Sequence, residues 1–256
     1  MILENYLPIW SLFKKEILRF MKVSMQTIVG PALSSLLFLA VFVLALGNSI
    51  DKINAVPFAN FIAPGLIMMT IMQNAYANSS SSIGHSKLLG TISDVLMAPL
   101  NDLEMTIGYI AGSIVRGLIC GLVTAICIYT FVPISIYSFP LLIFYAVMGS
   151  TMMGCLGTMV GIWADKWDHQ QGIENFVVLP MTFLSGTFYS ISRLPEFWKN
   201  FAYFNPFFYN IDGFRYAFIG QSDSSLIYGG AILVILNIFL VYLCFLMIKT
   251  GYKLKS

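Results

Sequence analysis

Residues 61–82 read FIAPGLIMMTIMQNAYANSSSS. The run is apolar as far as Met72 and, extended back to Phe58, is long enough to cross a bilayer, which takes about 20 residues as a helix. Gln73, Asn74 and Asn78 then place amides at or below mid-helix. An unpaired amide in lipid is costly, so these three face other helices or a conduit.

Composition supports such a bundle. The chain is 58% hydrophobic and 10% charged, with a mean hydropathy of +0.80, against roughly 25% charged residues in soluble proteins. This is the composition of an all-α membrane protein. At about 20 residues per span, 256 residues hold roughly six spans with short connections, and no room remains for a separate soluble enzyme domain.

Outward from the second span, the first runs from Val23 to Leu46, with a kink expected at Gly30-Pro31. The third covers Thr106 to Phe131 and the fourth Phe139 to Trp163. In the fourth, Gly157 and Gly161 form a GxxxG step that allows close helix approach, either within the chain or at a seam with a second copy. The fifth, Asn175 to Tyr189, is short and contains Pro180; the last is Ile227 to Ile248. Ahead of them, Tyr6 to Phe20 has Ile9, Trp10, Phe13, Ile17 and Phe20 at helical spacing, with Lys14, Lys15, Glu16 and Arg19 opposite. That pattern predicts a helix lying in the membrane interface. Residues 1–22 are therefore set apart from a transmembrane domain over 23–256, and no cleaved leader is expected.

Two further segments do not span. Between Ile83 and Met105, Leu88, Leu89, Ile92, Val95 and Leu96 recur at helical spacing, bracketed by Lys87 and Asp94 and stopped by Pro99. This predicts a short amphipathic helix that either docks a partner or lies on the membrane surface. Near the end, residues 197–218 read FWKNFAYFNPFFYNIDGFRYAF, and 11 of these 22 are aromatic. Rings favour headgroup depth, and Asn205-Pro206 divides the stretch into halves of about half a membrane thickness. A re-entrant helix pair between spans five and six satisfies both facts, with Phe197, Trp198, Phe204, Phe207, Phe208, Tyr209 and Arg215 at an exit gate.

Basic residues orient the chain. With the N-terminus cytoplasmic, inside segments hold Lys14, Lys15, Arg19, Lys22, Lys87, Lys166, Lys249, Lys253 and Lys255, against Lys52, Arg193, Lys199 and Arg215 outside. Both termini are therefore expected in the cytoplasm.

Most chemistry is excluded. No P-loop exists, since Lys249-Thr250 and Lys255-Ser256 lack the preceding glycines, and neither HExxH nor GxSxG occurs. Cys120, Cys127, Cys155 and Cys244 lie in apolar runs without CxxC spacing, and His85 and His169 stand alone in polar loops. No catalytic residue, cofactor or metal site is expected, and a net charge of +2 gives no reason for a nucleic-acid partner. Arg116, the one ionisable residue well inside a span, needs a partner the sequence does not name, either as a structural ion pair or as a conduit residue beside Gln73, Asn74 and Asn78.

Taken in order, FIAPGLIMMTIMQNAYANSSSS, SKLLGTISDVLMAPL, YIAGSIVRGL and LPMTFLSGTFYSISRLPEFWKNFAYFNPFFYNIDGFRYAFIG resemble the membrane subunit of ABC-2 type ABC exporters, along essentially the whole chain. The resemblance implies a six-span permease of the bacterial inner membrane that works as a pair among membrane lipids. Each copy would dock a separate ATP-binding cassette subunit, which holds the ATP and magnesium. It also implies that Ser86 to Met97 is the coupling helix, with Lys87, Leu88, Leu89, Ile92, Asp94, Val95 and Leu96 on it, and that the 164–174 loop is a second contact. An aromatic exit suits an amphipathic, lipid-linked or drug-like cargo. The alternative from another class is an ATP-independent channel or facilitator.

Overall fold

The computed structural model describes residues 6–47, 52–53 and 56–254. Helix α1 (Tyr6–Met21) is followed by a π-helical turn, Met25–Val29, that continues into α2 (Gly30–Leu46). Proline explains that turn: Pro31 has no N–H to donate four residues back, so the ladder widens, with the Gly30 N–H donating to the Met25 carbonyl. The freed Thr27 carbonyl accepts the Cys120 thiol at 3.1 Å. The kink expected at Gly30-Pro31 is therefore absorbed as a π turn.

A two-residue antiparallel pair, β1 (Lys52–Ile53) and β2 (Val56–Pro57), leads into the 31-residue α3 (Phe58–Leu88). At 1.5 Å per residue that helix is about 46 Å long, more than a ~30 Å hydrocarbon core. Then follow α4 (Ile92–Leu96), α5 (Asp102–Tyr129), α6 (Phe139–Trp163) and α7 (Trp167–Ile173), which passes through a second π turn, Glu174–Val178, into α8 (Leu179–Phe183). After a 3-10 turn at Ile191–Arg193 come α9 (Glu196–Phe204), α10 (Pro206–Ile219) and α11 (Leu226–Thr250).

Among the described residues, four stretches are long and apolar enough to cross a membrane: Met25–Ala45, Asp102–Tyr129, Phe139–Trp163 and Leu226–Thr250. The protein is thus a mostly helical membrane protein. Helix α3 is outside that set although it is the longest, because its amides and serines lower its hydropathy. The fifth predicted span, Asn175 to Tyr189, is helical only to Phe183. There the Ser185 and Thr187 hydroxyls turn back to donate to the Thr182 carbonyl, closing the helix early.

Helix α3 lies at the centre, flanked by α5 and α6 and covered at one end by α10, while α1 runs along α5 and α11 backs α6. Small residues set these approaches. A Cβ on Gly117 of α5 would sit 2.8 Å from the Ile71 carbonyl oxygen, and one on Gly157 of α6 2.4 Å from that of Tyr76, so both helices touch the α3 backbone. Gly161 continues the contact against Ile83 and Ser80. The Gly157/Gly161 step is therefore occupied within the chain, which corrects the alternative of a seam between copies at this position.

One end of the bundle gathers Lys87, Lys166 and Lys253. Here Leu12 of α1 shares a buried cluster with Ile83, Met105, Ile162 and Leu254, so the first and last described helical ends lie together. The other end joins the start of α3 to residues 133–138, with the Asn60 side-chain amide donating to the Pro133 carbonyl at 2.7 Å. There α10 also meets the 137–138 backbone, through the Ala217 carbonyl.

The amphipathic helix expected over 86–97 is broken in two. Gly90 has φ +72°, a backbone region that favours glycine, so Lys87 and Leu88 end α3 while Ile92, Asp94, Val95 and Leu96 form the separate α4. A capping box then starts α5: Asn101 caps the helix, and the Glu104 carboxylate accepts the Asn101 N–H at 2.9 Å.

Two glycine substitutions separate close packing from helix propensity. Gly157→Ala should cost about 1–3 kcal/mol, because the new methyl must displace backbone, and lower the thermal midpoint in detergent. Gly172→Ala, where nothing lies within 4 Å, should be neutral or raise stability by up to about 1 kcal/mol. Equal midpoints for the two variants would contradict the packing described.

Candidate functional site

On α1 the residues at i, i+4 and i+8, Leu12, Glu16 and Phe20, all point inward. Leu12 rests on Gly108 and Glu16 on Gly112, two glycines of α5 that leave a groove for α1. Glu16 is 0% exposed and is the acceptor of a buried network. Its Oε1 accepts from Ser82 Oγ at 2.6 Å, and its Oε2 from Asn78 Nδ2 at 3.3 Å and from Arg19 Nη2 at 3.2 Å. Arg19 also donates to the Asn78 carbonyl at 2.7 Å and to Ser81 Oγ at 3.0 Å.

This corrects the expected layout of α1. Lys14 and Lys15 do face out, but Glu16 and Arg19 turn onto α3, while Leu7, Trp10, Leu18 and Met21 are exposed. The physical reason is that α3 carries amides and serines at this height, which need hydrogen-bond partners once water is excluded and in turn satisfy the buried Glu16 and Arg19 charges. Asn78, a predicted conduit residue, is instead fully used in this network.

Above the network lies an open-sided cavity of about 700 Å³ bounded by α1, α3, α5, α7 and both π turns, its wall mixing apolar side chains with Arg19, Gln26, His85, Arg116 and Glu174. Ala77 and Glu174 also line a second cavity of about 360 Å³, which runs between α2 and α3 past Thr70, Gln73 and Asn74 to Ser34 and Ser35. Gln73, Asn74 and Arg116 are thus brought together along one polar track. Arg116 finds the partner the sequence could not name: its Nη2 donates to Asn74 Oδ1 at 3.3 Å. Thr70, Ser35 and Glu174, which the sequence reading did not single out, line the same track; alternation of hydroxyls with amides at Ser34, Ser35, Thr70, Gln73 and Asn74 was the available signal.

At the opposite end the aromatic segment splits by role. On α9, Phe197, Trp198 and Phe204 are exposed; on α10, Phe207 and Phe208 are buried and Tyr209 half-buried, its hydroxyl donating to the Tyr203 carbonyl at 2.9 Å. Arg215, expected on the outer side at the exit gate, is 3% exposed. It stacks over the Phe61 ring at 4.0 Å and donates to the Gly186 carbonyl at 2.5 Å, tying α10 to α3 and to the end of α8. Asp212 accepts from the Ser224 hydroxyl at 2.7 Å and from the Asp223 N–H at 2.9 Å, while Asp223 accepts the Ile191 N–H at 3.0 Å. Two carboxylates and an arginine therefore clasp α10 to its neighbouring loops.

At the basic end, Lys87 is not free to meet a partner. Its ammonium donates to the Ile162 and Ala164 carbonyls at 2.6 and 2.9 Å, stapling α3 to the end of α6. Lys253 donates to Asp165 Oδ2 at 2.7 Å and holds that exposed carboxyl below the usual aspartate range. Ile92, Val95 and Leu96 pack inward on the Leu12 cluster, and Asp94 is exposed. Leu88, Leu89 and Met97 remain outside, Leu89 at 73%.

Comparison with known proteins places the sequence among membrane transport proteins. A family model described as ABC-2 type transporter matches residues 8–219. The chain is 36% identical over 247 residues, 96% of each sequence, to the inner membrane transport permease YadH of Escherichia coli strain K12. It is 24% identical over 222 residues, 85% of this chain and 83% of the relative, to nodulation protein J of Rhizobium leguminosarum bv. viciae.

The Glu16 network gives a direct test of the α1 seat. Glu16→Ala leaves the Arg19 guanidinium without its carboxylate and should cost about 3–5 kcal/mol, seen as a lower thermal midpoint and lower yield from membranes. Glu16→Gln, which keeps an acceptor for Ser82, should lose less. If both variants unfold with the wild type, α1 is not held by this carboxylate.

Proposed function

Because the chain belongs to the ABC-2 type transporter family, we propose that it is the membrane-spanning permease subunit of an ATP-driven exporter in the bacterial inner membrane. Six spans serve this role: the four apolar helices, the buried α3, and the chain from α7 through α8. Two copies form the path, and each is moved by a separate ATP-binding cassette subunit that carries the nucleotide and magnesium.

The observation that carries this reading is the apolar knob of Leu88, Leu89 and Met97 at the basic end, in a chain without a nucleotide-binding motif. Exposed leucines beside a glycine turn fit a groove on another protein, and the basic residues of that end place it in the cytoplasm. The knob is also mechanically connected. Lys87 and the Leu12 cluster bind the segment to α1, α3, α5 and α6, so a push on it is passed to the helices that support the polar track. The 164–174 loop, joined to Lys87 and Lys253 through Asp165, is the second contact. At the far end the α9–α10 pair, re-entrant from the outer side, caps the path, with the exposed rings of α9 in the headgroup layer.

Affinity purification of the full chain from its own membranes should retain a P-loop ATPase, and Leu89→Asp should release it while leaving the permease inserted and thermally stable. The isolated chain should hydrolyse no ATP, and a cysteine at position 89 should react with an impermeant maleimide only in inverted vesicles. Flux without any ATPase would favour the channel alternative; reaction at position 89 from the outer face would sink the docking role.

A further inference from the structure

Arg116 is the least satisfied charge in the structure. The side chain is 8% exposed, yet of its five N–H donors one hydrogen bond to a neutral amide is made, at 3.3 Å, and Nε is buried without a partner. Among the described residues the ion pairs are Arg19 with Glu16 and Lys87 and Lys253 with Asp165; none involves Arg116. Glu174 lines the same cavity but does not come within ion-pair distance. A guanidinium cannot shed its proton, and holding it at membrane depth is costly unless an anion or a set of acceptors meets it.

Arg19 repeats the pattern. Its Nη atoms are engaged by Glu16, Asn78 and Ser81, but its Nε is again buried and unpartnered, and it lines the same cavity of about 700 Å³. Neutral donors at Gln26 and Ser80 share that wall, while Phe20, Val23 and Trp167 supply an apolar side. The adjoining cavity adds Phe38, Leu66 and Met69. The Arg116 guanidinium, which gives one hydrogen bond to Asn74, offers the forked donor geometry that matches a phosphate- or sulfate-type oxyanion, Arg19 adds positive charge to the same wall, and a volume of this size holds a headgroup.

We propose that this cavity binds the oxyanion headgroup of an amphiphile, with Arg116 as the ligand, Arg19 adding positive charge to the wall, and the apolar part of the molecule lying along α2 and α3. Glu174, on the same wall but not paired with Arg116, opposes an anion in the cavity through its own negative charge. The assignment of that amphiphile as cargo rests on the permease reading; the binding site does not.

The test uses the full chain in phosphatidylcholine nanodiscs with Trp10, Trp163 and Trp198 replaced by Phe, so that Trp167 in the cavity wall reports occupancy. Dihexanoyl phosphatidic acid should quench or shift this signal saturably, and dihexanoylglycerol, which has the same chains and no oxyanion, should not. Arg116→Gln should weaken binding roughly tenfold to a hundredfold, and Arg116→Lys should recover part of it. Glu174→Gln should tighten it several-fold, a gain that misfolding cannot imitate. Competition by millimolar inorganic phosphate would assign the site to a free oxyanion, and failure to compete to a lipid-borne one; either keeps the site. Equal affinity for the two lipids, or an unchanged affinity in Glu174→Gln, would overturn it. Because the ATPase test reads Leu89, loss of this site would leave the coupling result standing, and the reverse.

Discussion

A polar helix at the centre of an apolar protein has to be covered on all sides, and α3 imposes that constraint on every other element. Its Thr70, Asn74, Asn78, Ser79 and Ser82 are buried at depths where lipid offers no hydrogen bonds. Backbone contact through Gly117 and Gly157 brings α5 and α6 close enough to seal two sides, with Ser79 donating to the Gly154 carbonyl at 2.8 Å. The third side at the basic end is closed by α1, whose Glu16 and Arg19 meet the amides and hydroxyls directly. An interfacial helix thereby becomes part of the core.

Where α3 is not sealed, the polar track opens, and proline shapes both walls. Pro31 and Pro180 each remove a helical donor, and each follows a π turn, at Met25–Val29 and Glu174–Val178. Those turns present Gln26, Thr27 and Glu174 to the cavity. Wide turns of this kind are tolerated where surrounding packing fixes them and recur at functional positions. The cavity is therefore a consequence of the same irregularities that interrupt the spans.

The two ends of the bundle are built from different interactions. At the basic end, lysines cap helix carbonyls and one exposed aspartate, contacts of low individual worth at a surface that can be rearranged. At the aromatic end, Arg215 and Asp212 are buried and held by backbone groups, with the half-exposed Asp223 bracing the loop beside them, so removing the partners of either buried group leaves a charge unpaired. A firm cap and an adjustable handle suit a machine driven from the handle side.

The sequence by itself determined the class of the protein, the four long apolar helices, the break at Asn205-Pro206 and the shared polarity of Gln73, Asn74 and Arg116. Each of those follows from local composition or spacing, which the chain carries whatever it packs against. Only the tertiary structure decided that Glu16 is buried, that Gly157 and Gly161 face α3, that Lys87 staples α6, and that Ile92, Val95 and Leu96 turn inward while Leu89 stays out. Helical periodicity separates a polar face from an apolar one, but it cannot say which face meets lipid and which meets another helix. In a membrane the surroundings are as apolar as the core, so the inside is chosen by small residues and polar partners on other helices, far away in the chain.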